Sequence, residues 1–191
     1  NRGNIAFNVT AAGNERNLYG AVTITGNTLT DSRYHGVEIF NYNGTISSAE
    51  VSNNTLISST SAATSQGAGI SFIAYGSAAT VANVTAANLS NNVISNFPGG
   101  VGIQAQGGNA NFAGPAGVFG TAGHATNIIN ITGNQIAGAS AGNRIGAEAI
   151  VASVGGFGQG NFNISNNGTI ANPITHVTGS AISNSTFGNA T

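Results

Sequence analysis

Asp31, Arg33, His35 and Glu38 fall within eight residues of a 191-residue chain that holds only 4 Lys+Arg and 5 Asp+Glu in all. Carboxylates, an imidazole and a guanidinium at that density are the raw material of acid–base or metal chemistry. Glycoside cleavage needs two carboxyl groups roughly 5 to 9.5 Å apart. The chain offers Asp31, Glu15, Glu38, Glu50 and Glu148 for such a pair. His35, His124 and His176 show neither the His-x-x-His nor the His-Glu-x-x-His spacing that sets two imidazoles on one metal. Gly155-Gly156-Phe157-Gly158 has no following helical pattern, and the chain has no Lys, so a phosphate loop is not supported. No catalytic residue, metal site or cofactor is assigned. Ion pairing of Arg33 with Asp31 or Glu38 at a solvated corner is the simpler reading. Arg33, Tyr34, His35 and Glu38 stay as candidates for a surface contact.

The elements that must position these residues follow from composition. Hydrophobic residues make up 40% of the chain, with 29 Gly and no Cys, Met or Trp. Asn is nearly as common as Gly. Gly, Asn, Thr, Ser and Val are poor helix formers, whereas Val, Ile, Thr and Phe in short runs suit strands joined by tight turns. Low hydrophobicity with high net charge would mark disorder, and the formal net charge here is -1. Four scattered Arg residues cannot neutralise a row of phosphates, so nucleic acid is not an expected partner. No apolar run approaches the roughly 18 residues of a membrane-spanning helix. The absence of Cys agrees with an extracellular or cell-surface location without requiring it. The chain opens on Asn1 and reads as one domain over 1–191, a processed or excised piece of a longer product.

One pattern recurs: aliphatic, Ser or Thr, Gly or Asn, Asn, any residue, aliphatic. It appears as Ile24-Thr25-Gly26-Asn27-Thr28-Leu29, Val51-Ser52-Asn53-Asn54-Thr55-Leu56 and Leu89-Ser90-Asn91-Asn92-Val93-Ile94. Ile131-Thr132-Gly133-Asn134-Gln135-Ile136 is a fourth copy, and Ile164-Ser165-Asn166-Asn167-Gly168-Thr169-Ile170 a fifth with one extra residue. The key Asn residues are 27, 38, 42 and 33 positions apart, which predicts constant strands and elastic loops. A second short strand follows each copy. These are Gly36-Val37-Glu38-Ile39-Phe40, Gly69-Ile70-Ser71-Phe72, Gly100-Val101-Gly102-Ile103, Ala147-Glu148-Ala149-Ile150 and Gly179-Ser180-Ala181-Ile182.

This pairing of motifs resembles the right-handed parallel β-helix repeat family, over about 5–187. The resemblance implies an all-β solenoid of about five to six irregular rungs, stacked at about 4.8 Å to a height of about 25 Å. Family members include polysaccharide-cleaving enzymes, autotransporter passengers, phage tailspikes and surface adhesins. Asn27, Asn54, Asn92, Asn134 and Asn167 are then expected to stack as an amide ladder at the bend after the first strand. They are also expected to tolerate a left-handed backbone there. Thr25, Ser52, Ser90, Thr132 and Ser165 form an outward hydroxyl row. The family's enzymes draw acidic residues from consecutive rungs. Glu38 and Glu148 align at an outward place in the second strand, with Ser71 and Gln104 between them, which separates the two Glu by roughly 14 Å.

Segments 58–69, 107–124 and 154–160 read as long Gly-, Ala- and Ser-rich loops. Ten Asn-x-Ser/Thr sequons occur; Asn53 and Asn167 fall in tight corners, while Asn43, Asn83, Asn130 and Asn184 are the better glycan acceptors. The expected function is a non-enzymatic extracellular structural module of a surface fibre, sheath or adhesin. Its expected partners are neighbouring rungs, copies of itself, or glycans. The alternative is a carbohydrate-binding or polysaccharide-cleaving domain that uses Tyr34, Tyr42 and Tyr75 with Arg33 and Glu38.

Overall fold

Aliphatic residues that alternate with Ser, Thr or Asn bury one face and solvate the other only in extended backbone. In the computed structural model these runs are strands, and no helix occurs among the described residues. The structure describes residues 3–8, 18–32, 34–58, 67–76, 81–97, 100–108, 118–119, 127–136, 149–155, 158–168 and 182–185. After β1 (Gly3–Asn8), a first repeat runs through β2 (Gly20–Thr25), β3 (Thr28–Ser32), β4 (His35–Asn41) and the start of β5 (Gly44–Ser52). The second continues from β5 into β6 (Thr55–Ser58), β7 (Ile70–Ala74) and β8 (Ala82–Val84). The third holds β9 (Ala87–Ser90), β10 (Val93–Ser95), β11 (Ile103–Gly108) and β12 (Val118–Phe119). The fourth holds β13 (Ile129–Thr132), β14 (Gln135–Ile136), β15 (Ile150–Gly155) and β16 (Gln159–Gly160), and the last β17 (Phe162–Ser165) and β18 (Ile182–Ser185).

Each strand pairs, in parallel, with its counterpart one repeat away. One sheet runs β1-β4-β7-β11-β15-β18 and a second β14-β10-β6-β3. The third carries β16-β12-β8-β5-β9-β13-β17, with β2 also on β5. The expected parallel stacking is therefore present, and the quoted motif copies are in register. Ile24, Val51, Leu89, Ile131 and Ile164 form one column, and Leu29, Leu56, Ile94 and Ile136 another. Ile5, Val37, Ile70, Ile103, Ile150 and Ile182 form a third. In the middle repeats these side chains are fully buried, and they make up one continuous apolar core.

Two expectations are corrected by the register. Val151, not Glu148, pairs with Gln104, so the column through Glu38 reads Ala6, Glu38, Ser71, Gln104, Val151. Glu148 itself lies outside the described residues. Glu38 does not reach solvent either: it is 2% exposed, with Ser71 beside it at 1%. All five residues of β7 are buried, so the sheet is closed on both faces there. The long-loop reading is also incomplete, because β12 lies inside 107–124 and pairs with β8 and β16.

Candidate functional site

Each copy of the motif turns sharply between its two strands, and that turn needs one left-handed residue. The residue is Gly26, Asn53, Asn91, Gly133 or Asn166, with φ of 67, 56, 54, 67 and 54°. Thus the left-handed position falls one residue before the ladder Asn, and not on it as expected. Freed of that role, the next Asn points its amide along the stack. Asn27, Asn54, Asn92 and Asn134 each donate from Nδ2 to Oδ1 of the following ladder residue at 2.9, 3.0, 2.9 and 2.9 Å. Their backbone N–H groups donate to the same Oδ1 atoms at 3.0 to 3.1 Å. The second Nδ2 hydrogen of Asn54, Asn92, Asn134 and Asn167 goes back to a carbonyl of the preceding repeat at 2.8 to 2.9 Å. In Asn54, Asn92 and Asn134 every polar atom of the side chain is engaged, which is the condition for burying an amide cheaply.

A second ladder lies outside and was not recognised from the sequence. Asn163 donates to Asn130, Asn130 to Asn88, and Asn88 to the Glu50 carboxylate, each at 3.0 Å. Beside it the outward row Thr25, Ser52, Ser90, Thr132 and Ser165 stands in register. The available signal was the sequon: Asn88, Asn130 and Asn163 each precede the row's hydroxyl by two positions, so both side chains leave the strand on the same side.

The charged corner separates into unrelated parts. Asp31 is exposed with φ 57°, and Arg33 lies outside the described residues. Tyr34 is 43% exposed and meets the His35 ring edge-on at 4.5 Å. His35 is held from behind, its Nδ1 accepting the Ala68 N–H at 2.9 Å. Gly67 packs directly on the Tyr34 carbonyl, leaving no space for a side chain. With Glu38 buried, Tyr34 and Asp31 are the described corner residues open to solvent. No cluster of three or more His, Cys, Asp or Glu with metal-binding geometry occurs among the described residues, and no helix there is long and apolar enough to cross a membrane. Compared with known proteins, the chain matches no family, no curated protein and no solved structure.

The sequon acceptors differ in setting. Asn43 is not in an open loop: it is half-buried beside Gly44, and its Oδ1 is buried without a hydrogen bond. Asn83 sits in β8, half-buried, and Asn130 belongs to the outer ladder. Asn184 pairs through its backbone with Ala152.

Phe40, Tyr42 and Tyr75 form a three-ring cluster with centroids 4.9 to 5.4 Å apart. Burial, and then the neighbouring Tyr42, raise the Tyr75 pKa above its ordinary value. The neutral phenol is thus favoured by folding. Its contribution is complete below the unfolded value of about 10 and is lost as pH rises through the higher folded one. Tyrosinate absorbance should show a late ionisation above about pH 10 that Tyr75→Phe removes, and the same substitution should flatten the fall of the melting temperature there. Equal slopes in wild type and variant would contradict this.

Proposed function

We propose that the chain is a right-handed parallel β-helix of five to six irregular rungs that serves as a non-enzymatic structural module outside the cell. It is a building block of a surface fibre, sheath or adhesin, joined end to end with its neighbours. The observation that carries this reading is the ladder from Asn27 to Asn167, unbroken over four steps through five motif copies. Its polar groups are committed to one another along the stack rather than directed at a ligand. The buried Glu38 supports the same view, since a catalytic carboxylate on this face would have to meet substrate. Electron microscopy of the native material should show filaments or surface fibres, and acidic polysaccharides should go uncleaved with or without calcium. Turnover of any of them would overturn the reading.

A second reading, carbohydrate binding, draws on Phe40, Tyr42 and Tyr75. These rings are half-buried and stack on one another, so part of the aromatic surface a sugar would stack on is already used.

A further inference from the structure

The chain holds two Asn-Gly pairs, and both stand in the same tripeptide: Asn43-Gly44-Thr45 and Asn167-Gly168-Thr169. The two glycines share one backbone setting as well, with φ of 90 and 94°. Asn before Gly is open to self-modification, because no side chain shields the glycine nitrogen from the Asn amide carbon. With the local chemistry equal, the fold decides which pair reacts.

The settings differ. Asn167 belongs to the inner ladder and is 7% exposed. Its Oδ1 accepts from the Asn134 N–H at 3.0 Å and from Asn134 Nδ2 at 2.9 Å, and its own Nδ2 donates to the Ile131 carbonyl at 2.8 Å. The Gly168 N–H is committed too, donating to the Asn134 carbonyl at 2.7 Å. Attack by that nitrogen on the Asn167 amide would break these bonds together. The Asn43 amide has none to break among the described residues, and its Oδ1 is buried without a hydrogen bond. A buried acceptor left unpaired costs free energy in the folded state, so this amide starts nearer the barrier. Asn43 as a whole is only half-buried, which leaves water a way in.

We propose that Asn43-Gly44 is a self-modifying site, where Asn43 converts to aspartate and isoaspartate while Asn167-Gly168 stays intact, and that the isoaspartate releases Leu18 and Tyr19 from the entry to β2. The Gly44 nitrogen bonds to Asn43 Cγ, the Cγ–Nδ2 bond breaks, and the Gly44 N–H proton leaves with the nitrogen as ammonia. Water then opens the ring. Attack at Cγ gives aspartate; attack at the main-chain carbonyl carbon gives isoaspartate, whose chain runs on through Cβ and is one carbon longer. The fold has no room for that carbon. The Leu18 N–H is held by the Asn43 carbonyl at 3.2 Å and by Asn41 Oδ1 at 3.3 Å. A Cβ on Gly44 would already lie 2.7 Å from the Leu18 carbonyl oxygen and 2.9 Å from the Tyr19 ring. In isoaspartate the carbonyl that holds Leu18 becomes a carboxylate beside the main chain, and Leu18 and Tyr19 lead directly into Gly20–Thr25. None of this depends on the chains forming fibres.

The test holds the 191-residue chain in mildly alkaline buffer, folded and in urea, and follows it by peptide mapping and isoaspartyl methyl transfer. In urea, where only the shared tripeptide acts, the two sites should convert within about twofold of each other. In the folded chain Asn43 should convert at least about tenfold faster than Asn167, which reacts only through local opening. Amide exchange at residues 18–22 should quicken as isoaspartate accumulates, with residues 87–94 unchanged. Asn43→Gln, whose longer side chain does not close the five-membered ring, should keep its slow exchange throughout, with a melting curve to check that it is folded. A folded chain in which Asn43 persists while the urea sample converts, or in which both sites keep pace, would overturn the site. Conversion that leaves exchange at 18–22 unchanged would overturn the release.

Discussion

Asn92→Ala should cost about 4 kcal/mol of stability, enough to bring a domain of ordinary stability close to unfolding at room temperature. The side chain is fully buried, and its removal strands groups on both sides. Asn54 loses the acceptor of its N–H and of one Nδ2 hydrogen. The Val51 carbonyl and Asn134 Oδ1 each lose a donor. A cavity too tight for ordered water would leave these groups unpaired, at about 1 to 3 kcal/mol each before relaxation. Asn92→Asp separates donor from acceptor: the carboxylate still accepts from Asn54 but faces two acceptors with nothing to give. Protonation restores one donor, so this variant should regain stability relative to wild type as pH falls, opposite to a loss of shape alone. Asn130→Ala is the control. It removes two hydrogen bonds of the same length from the outer ladder, where water replaces them, and should change stability by no more than about 0.5 kcal/mol. Urea melts of the three variants decide the matter; a similar loss for Asn92→Ala and Asn130→Ala would mean that the inner ladder is decorative.

The contrast also marks what could be read from the sequence. The inner ladder was legible because the amide is needed at one place in every repeat, so the aliphatics around it keep their spacing while the loops vary. Which residue bends left-handed was only half legible. Gly and Asn both tolerate that backbone, and Asn fills both positions of the pair in three copies, at 53–54, 91–92 and 166–167. The outer ladder was hidden by its double meaning, since Asn-x-Ser/Thr is a glycan acceptor as well as two outward neighbours on one strand. The setting of Glu38 was out of reach, because alternation says which side of the sheet it leaves by and nothing of whether that side meets water. Glu148 was misaligned by two conflicting cues. The alignment with Glu38 reads Ala147 and Ala149 as the inward residues on either side of Glu148, whereas Ala149 stands where Gly36, Gly69 and Gly102 stand and Ile150 is the residue that pairs with Ile103.

That small-residue column yields the other large effect. Gly69→Ala should lose about 3 kcal/mol although it adds a single methyl. A Cβ on Gly69 would collide with Ile94 Cγ2 and lie 2.8 Å from the Gly102 carbonyl oxygen. Gly36 repeats the geometry, its added Cβ 2.7 Å from the Gly69 carbonyl. Here the chain enters the β1-β4-β7-β11-β15-β18 sheet while pressed against the aliphatic column of the neighbouring sheet, and both obstacles are fixed, one by the backbone and one by the packed core. Ile94→Ala opens only one of them. The double variant Gly69→Ala/Ile94→Ala should therefore be about 1 kcal/mol less unstable than the sum of its parts, without regaining the stability of Ile94→Ala alone. Gly26 supplies the opposite case. Nothing lies within 4 Å of its added Cβ, and its φ of 67° is the sole constraint. Gly26→Asn should be nearly neutral, as Asn53, Asn91 and Asn166 already hold that backbone, while Gly26→Val should lose about 1 to 2 kcal/mol. If Gly69→Asn proved as mild as Gly26→Asn, the contact argument for Gly69 would fail.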